Sequence, residues 1–206
     1  MISAIVLAAG ASKRMGQPKL LMQWGATTVL EQVISVFSAA GIDDILLVTG
    51  SYRYQVEEMI ARLQKPYAVR TIFNEAHETG EMLSSIQCGL NDLLDKTSDA
   101  ALIGLGDQPQ IEESTVRLIC DAYQESGRQL IVPSHQMRRG HPWMVGRGLW
   151  PKLLDLRPPQ TPRYFLTSHI GFIKYVEVGT PTIFADLDTP DDYRESHPRG
   201  KGYTSP

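Results

Sequence analysis

Leu7-Ala8-Ala9-Gly10-Ala11-Ser12-Lys13-Arg14-Met15-Gly16-Gln17-Pro18-Lys19 follows directly on the first apolar run of the chain, residues 2–7. That run reads as a buried strand opening the fold. Gly10 and Gly16 bracket the loop behind it, where the backbone can reach φ > 0 and approach a ligand without a Cβ in the way. Successive amide N–H groups in such a loop form a concavity suited to an anion. Lys13, Arg14 and Lys19 then place three cations within seven positions. Exposed cations alone would only solvate a surface; strand, glycine loop and clustered cations together describe a site for a polyphosphate. No Gly-Lys-Ser/Thr closes the loop as in a Walker A motif, and the glycine spacing is wider than that of a dinucleotide fingerprint.

Outward from this loop, short β-rich runs alternate with helical patterns, as in βαβ units around a largely parallel sheet. Thr28 and Glu31 predict a capping box, after which Val29, Val33, Ile34 and Phe37 keep one apolar face and Gly41 supplies the stop. Further strands are expected at 45–48, 69–73, 100–105 and around 130–132, with helices marked by 56–63, 82–94, 112–123 and 146–154. Residues 138–142 and the stretch holding Pro158, Pro159 and Pro162 read as irregular. Two late strands, 174–178 and 182–185, are expected as antiparallel excursions. Residues 1–193 are expected to form one domain and 194–206, which lack an aliphatic side chain, a disordered tail.

At 206 residues the chain suits a single α/β domain. Its net charge of -3 argues against a general nucleic-acid binder, so the basic N-terminal cluster suits a small, highly charged ligand. Cys88 and Cys120 have neither disulfide-framework nor zinc spacing and are expected as buried thiols. No run approaches the length of a membrane helix and none has the order of a secretory signal, so a cytoplasmic protein with no membrane partner is expected.

Gly106-Asp107-Gln108-Pro109 follows the most apolar strand. Asp107 there could simply cap the next helix. At the carboxyl end of a central strand, where open α/β sheets bind ligands, it could equally hold Mg²⁺, which takes one or two carboxylates with waters and phosphate oxygens. Asp186-Leu187-Asp188-Thr189-Pro190 repeats the choice between an N-cap, with Pro in the first turn, and a return to the same edge to complete a metal site.

These segments together resemble the MobA/MocA-like nucleotidyltransferases over residues 2–193. Leu7 to Gly10, Ser12, Arg14, Met15, Gly16 and Lys19 meet every fixed position of the family's first signature; Gly106 to Pro109 and Asp186 to Asp192 match its later acidic turns. Arg139-Gly140-His141-Pro142 resembles the branch that makes molybdopterin cytosine dinucleotide. The resemblance implies a Rossmann-like three-layer sandwich of the nucleotide-diphospho-sugar transferase type. It implies transfer of CMP from CTP to the phosphate of molybdenum cofactor, with pyrophosphate released, and leaves open a contact with a molybdoenzyme. Residue by residue, Leu7, Ala8, Ala9 and Gly10 would receive base and ribose, with Ser12 in the same loop. Arg14 and Lys19 would meet the triphosphate and, with Asp107, carry the catalysis. Asp107 and Asp188 would hold Mg²⁺ with Asp186 beside them, and Arg139 and His141 would meet the acceptor, flanked by Trp143. Gly80 and Ser84 stand where the family's next helix closes over the base, although this chain has Asn74-Glu75 in place of Asn-Pro and one extra residue around Glu81. The alternatives are a nucleotidyltransferase for a sugar or polyol phosphate and a non-catalytic carrier of nucleotide or cofactor. His77, His135, His169 and His197 are expected as surface or loop residues, and Trp24 and Trp150 as packing residues.

Overall fold

The computed structural model describes residues 1–64 and 67–198. In chain order they form β1 (Ile2–Ala8), β2 (Gln23–Trp24), β3 (Thr27–Thr28), α1 (Val29–Ala39), β4 (Ile45–Thr49), α2 (Arg53–Ala61), β5 (Val69–Phe73), α3 (Glu81–Leu93), β6 (Ala100–Leu105) and α4 (Glu113–Ser126). There follow β7 (Leu130–His135), β8 (Arg138–Arg139), β9 (Trp143–Gly146), α5 (Trp150–Leu154), α6 (Pro162–Ser168), β10 (Ile173–Glu177) and α7 (Pro190–Ser196).

One sheet runs β10-β7-β9-β6-β1-β4-β5, with β8 hanging from β7. β1 lies parallel to both β4 and β6, and β4 parallel to β5. β9 alone runs the other way along that path, between β6 and β7. Helices cover both faces. Ala4, Val6 and Ala8 of β1 point to one core with Val29, Leu30, Val33, Ile34 and Phe37 of α1 and Val116 and Ile119 of α4. Ile5 points to the opposite core, with Leu83, Ile86, Leu90 and Leu93 of α3 and Phe165 of α6. This period of two along a strand buried on both sides makes the three layers. After β1 the chain winds toward β5 and after β6 toward β10, so the order reverses between β1 and β6. Ligands in open sheets sit at such a reversal, beyond the strands' carboxyl ends.

The structure departs from the sequence reading in five places. Only half of the capping box forms at Thr28, whose hydroxyl accepts from the Glu31 N–H at 3.2 Å; the full reciprocal box is at Thr189 and Asp192. Residues 143–146 form β9, a strand the sequence reading does not contain, and the helix expected over 146–154 is a 3-10 turn at Arg147–Leu149 followed by α5. The proline-rich stretch contains α6, because Thr161 caps it and Pro162 needs no hydrogen-bonded N–H in the first turn. β10 pairs parallel to β7, not antiparallel, and 182–185 is no strand, since Pro181–Phe184 is a 3-10 turn. The expected tail is helical as far as Ser196, and the His197 ring packs 5.5 Å from Trp24; residues 199–206 of that expectation lie outside the described residues. Trp24, Trp143 and Trp150 are all buried. Cys120 is buried and Cys88 half-buried, and burial pushes both thiols up, Cys120 to about 11. Among the described residues no helix is long and apolar enough to cross a membrane.

Candidate active site

Four adjacent strands deliver their carboxyl ends to one cavity of about 710 Å³. Leu7 and Ala8 end β1, Ser51 follows β4, His77, Glu78 and Thr79 follow β5, and Asp107 follows β6; Gly10 to Arg14, Lys19, Leu20 and Asp188 complete the lining.

The loop after β1 is folded by its own residues. Ser12 (φ +49) and Gly16 (φ +69) take the left-handed conformation, which the sequence reading assigned to Gly10 and Gly16; Gly10 does not adopt it. The Ser12 carbonyl accepts from the N–H groups of Met15 (3.0 Å) and Gly16 (3.2 Å), and its hydroxyl accepts from the Lys19 N–H at 3.2 Å. Ser12 therefore shapes the loop that aims Lys19. Tyr52 steadies the outer edge, donating its hydroxyl to the Ala11 carbonyl at 3.2 Å. Among the described residues the N–H groups of Gly10 to Arg14 find no acceptor, which leaves a row of donors for an anion. Ala9 does not line the cavity. It is 8% exposed, lying so close under β4's end that a Cβ on Gly50 would come within 2.4 Å of its carbonyl oxygen.

The two acidic turns meet here. Leu187 donates its N–H to the Asp107 carbonyl at 3.1 Å and so stitches residues 186–188 to the end of β6. Lys19 Nζ pairs with Asp107 and with Asp188 Oδ1, the latter at 3.2 Å, and Arg14 Nη1 reaches Asp188 Oδ2 at 3.0 Å. Burial of the Lys19 ammonium alone would lower its pKa; the Asp107 charge, with Asp188, outweighs burial and holds it above the ordinary lysine value. Neither aspartate caps a helix. Glu112 precedes α4 without a side-chain bond, and Thr189 caps α7. Asp186 stands apart, accepting from Gln108 Nε2 at 2.5 Å and touching neither Lys19 nor the cavity. Loss of water around its carboxyl, helped by the Asp107 charge, pushes Asp186 up to about 6. Thus two carboxylates, not three, converge on one cation. Among the described residues no three His, Cys, Asp or Glu side chains form a metal-holding cluster. Two carboxylates beside a row of open amides are still a donor set that suits Mg²⁺.

A second cavity, about 1120 Å³, lies on the far side of Thr79, which lines both. Arg138, Arg139, His141, Trp143, Arg163 and Leu166 line it, together with Gly80, Glu81 and Met82 at the start of α3. Gly80 therefore lines this cavity and not the first. The Ser84 hydroxyl lines neither, being held by Asn74 Nδ2 at 2.8 Å and the Glu81 carbonyl at 3.1 Å. Arg139 stacks 5.4 Å from the Tyr175 ring, and Arg138 4.5 Å from Phe184. His141 donates its N–H to the Ile183 carbonyl at 3.1 Å, and a Cβ on Gly140 would lie 2.4 Å from that oxygen. Burial pushes the His141 imidazole down to about 4, so it is neutral at pH 7.

The sequence reading missed Ser51, Glu78 and Thr79; His77, expected as a surface or loop residue, lies in the loop after β5, where it lines the first cavity with Nδ1 3.0 Å from the Asn74 carbonyl. These four follow the carboxyl ends of β4 and β5, a position that could have singled them out. His135 and His169 bond backbone carbonyls, of Val178 and Phe165, and serve packing.

Residues 4–172 match the model of the MobA-like NTP transferase domain. The chain belongs to that family. It is 28% identical over 193 residues to the molybdenum cofactor cytidylyltransferase of Escherichia coli (strain K12), covering 93% of each chain. It is 26% identical to the nicotine blue oxidoreductase of Paenarthrobacter nicotinovorans, covering 91% of this chain and 92% of that one. Among solved structures it resembles Rv0371C of Mycobacterium tuberculosis H37Rv in complex with manganese, with a TM-score of 0.74 at 27% identity, covering 95% of this chain and 97% of that one. This is a nucleotidyltransferase family with cytidylyltransferases among the homologues of this chain, and the three-layer fold expected from the sequence is the one found.

Proposed function

We propose that this protein is a Mg²⁺-dependent cytidylyltransferase that transfers CMP from CTP to the phosphate of molybdenum cofactor and releases pyrophosphate. The observation that carries the reading is the convergence of Asp107 and Asp188 on Lys19 Nζ, beside Arg14 and the open amides of Gly10 to Arg14. In the reaction an oxygen of the acceptor phosphate forms a bond to the α-phosphorus of CTP, and the bond from that phosphorus to the bridging oxygen breaks. That oxygen leaves with pyrophosphate. A phosphate nucleophile is ionised near neutrality, so the chain needs no strong general base, and the neutral His141 is suited to positioning the acceptor. Lys19 and Arg14 draw the charge that moves onto the leaving group, and the amides of Gly10 to Arg14 hold the triphosphate in line. Asp107 and Asp188 would hold the metal, which when bound neutralises phosphate charge and orients the leaving group. Arg139 and His141 sit across Thr79 in the adjoining cavity, where the acceptor would bring its phosphate to the junction.

Similarity to an enzyme named as molybdenum cofactor cytidylyltransferase and to one named as an oxidoreductase leaves the chemistry to be decided at the site. Two carboxylates on one half-buried ammonium serve phosphoryl chemistry and have no evident use in hydride transfer. The preference for CTP rests on that relative, since neither Ala9, expected to receive base and ribose, nor Gly80 and the helix after it, expected to close over the base, line the first cavity. The test is pyrophosphate release with CTP, GTP, ATP and UTP, each with Mg²⁺ and purified molybdenum cofactor. Release with CTP well above the other three supports the reading; release only with a sugar or polyol phosphate as acceptor overturns the acceptor assignment.

A further inference from the structure

The second cavity carries a charge pattern that a nucleotide does not require. Three arginines, Arg138, Arg139 and Arg163, line it, and Glu81 is the one acid among its described lining residues. Met82, Leu83, Trp143 and Leu166 supply apolar walls that suit a flat ring. Glu81 is also held at φ +49, left-handed, as the first residue of α3. A side chain with a Cβ rarely occupies that region, and such strain persists mostly where the residue is put to use. Among the described residues its carboxylate makes no hydrogen bond and no ion pair, despite the three arginines around the same cavity.

We propose that Glu81 is a specificity-determining residue that reads the 2-amino-4-oxopyrimidine edge of the acceptor, while the arginines take its anionic end. An ionised carboxylate only accepts hydrogen bonds. It therefore pairs with two adjacent donors, the 2-amino group and the neighbouring ring N–H, and is repelled by a carbonyl put in place of the amine. A site built on such hydrogen bonds rejects an analogue lacking them far better than a steric pocket rejects a methyl group. The inference rests on the reading of the acceptor as a pterin, and it can be tested without turnover.

The experiment is fluorescence titration of the full chain with pterin-6-carboxylate and with lumazine-6-carboxylate, which has oxygen where the pterin has its amine. The wild type is expected to bind the pterin at least about tenfold more tightly. Glu81→Gln should bring the two ligands within about twofold while CTP affinity, measured by calorimetry, stays unchanged. Glu81→Gly, which relieves the backbone, should keep the fold and lose the same discrimination. A purely structural role would leave that ratio where it was. Equal binding of both ligands by the wild type, or a preference surviving in Glu81→Gln, overturns the proposal. Pyrophosphate release is scored separately: a protein that prefers the pterin but never cleaves CTP retains the role of Glu81 and loses the cytidylyltransferase reading.

Discussion

Lys19 is the residue on which the site turns. Its backbone N–H is fixed by the Ser12 hydroxyl and its ammonium by Asp107 and Asp188, so loop, strand end and acidic turn are registered through one side chain. On the proposed reading, charge that develops on pyrophosphate would meet this ammonium more strongly in the transition state than in the ground state. Lys19→Ala should therefore lower kcat by about 10²-fold or more while CTP affinity, measured by calorimetry, falls much less. Asp107→Asn and Asp188→Asn should each cut turnover by orders of magnitude in a fold that circular dichroism shows intact. Asp186→Asn should matter less, because its carboxyl is spent on Gln108; turnover within a few-fold of wild type for both Asp107→Asn and Asp188→Asn would remove the metal assignment. Lys19 and the two acidic turns were legible in the sequence because each sits in a short motif, those of Lys19 and Asp107 directly behind an apolar strand. That Asp188 and not Asp186 reaches Lys19 was not legible, since it depends on the bond between the Leu187 N–H and the Asp107 carbonyl, residues far apart in the chain.

At the scale of elements, the site depends on close approach between neighbouring strand ends. A methyl group at Gly50 would meet the backbone of Ala9, 2.4 Å from its oxygen and 2.8 Å from its Cα, and neither atom can turn aside. Overpacking of this kind costs about 1–3 kcal/mol. For a domain of this size each kcal/mol lowers Tm by about 2–4 °C. Gly50→Ala should thus melt several degrees lower and, on the proposed reading, show a raised KM for CTP, because the displaced segment starts the loop proposed to hold the triphosphate; differential scanning calorimetry and steady-state kinetics check both. The strands β1, β4, β5 and β6 were legible because they are apolar, short and separated by clear helical patterns. β9 was not, since Trp143 to Gly146 is brief and lies between a proline and the start of a helix. Nor was the direction of β10, which follows a stretch whose prolines hid α6. Pairing direction there is settled by partners distant in sequence.

At the scale of the whole molecule, the two cavities share Thr79, where on the proposed reading nucleotide and acceptor would meet. The neutral His141 ties this arrangement to pH. An imidazole titrates near 6.5 when free and is pushed down to about 4 here by burial, so protons favour the unfolded chain. Its contribution is intact above pH 6.5 and is lost as pH falls toward 4, by up to about 3 kcal/mol. Urea unfolding at pH 7 and pH 4.5 should show the wild type losing about 2–3 kcal/mol more than His141→Gln over that interval; equal losses would mean the imidazole is free to charge. The central claim, that the Lys19, Asp107 and Asp188 cluster transfers a nucleotidyl group, is tested most directly with CTP labelled at the α-phosphorus. The wild type with Mg²⁺ and molybdenum cofactor should move the label into the acceptor, in equal amount to the pyrophosphate released, and Asp107→Asn should not. Label that stays in CTP, or appears as free CMP with the acceptor unlabelled, would contradict it.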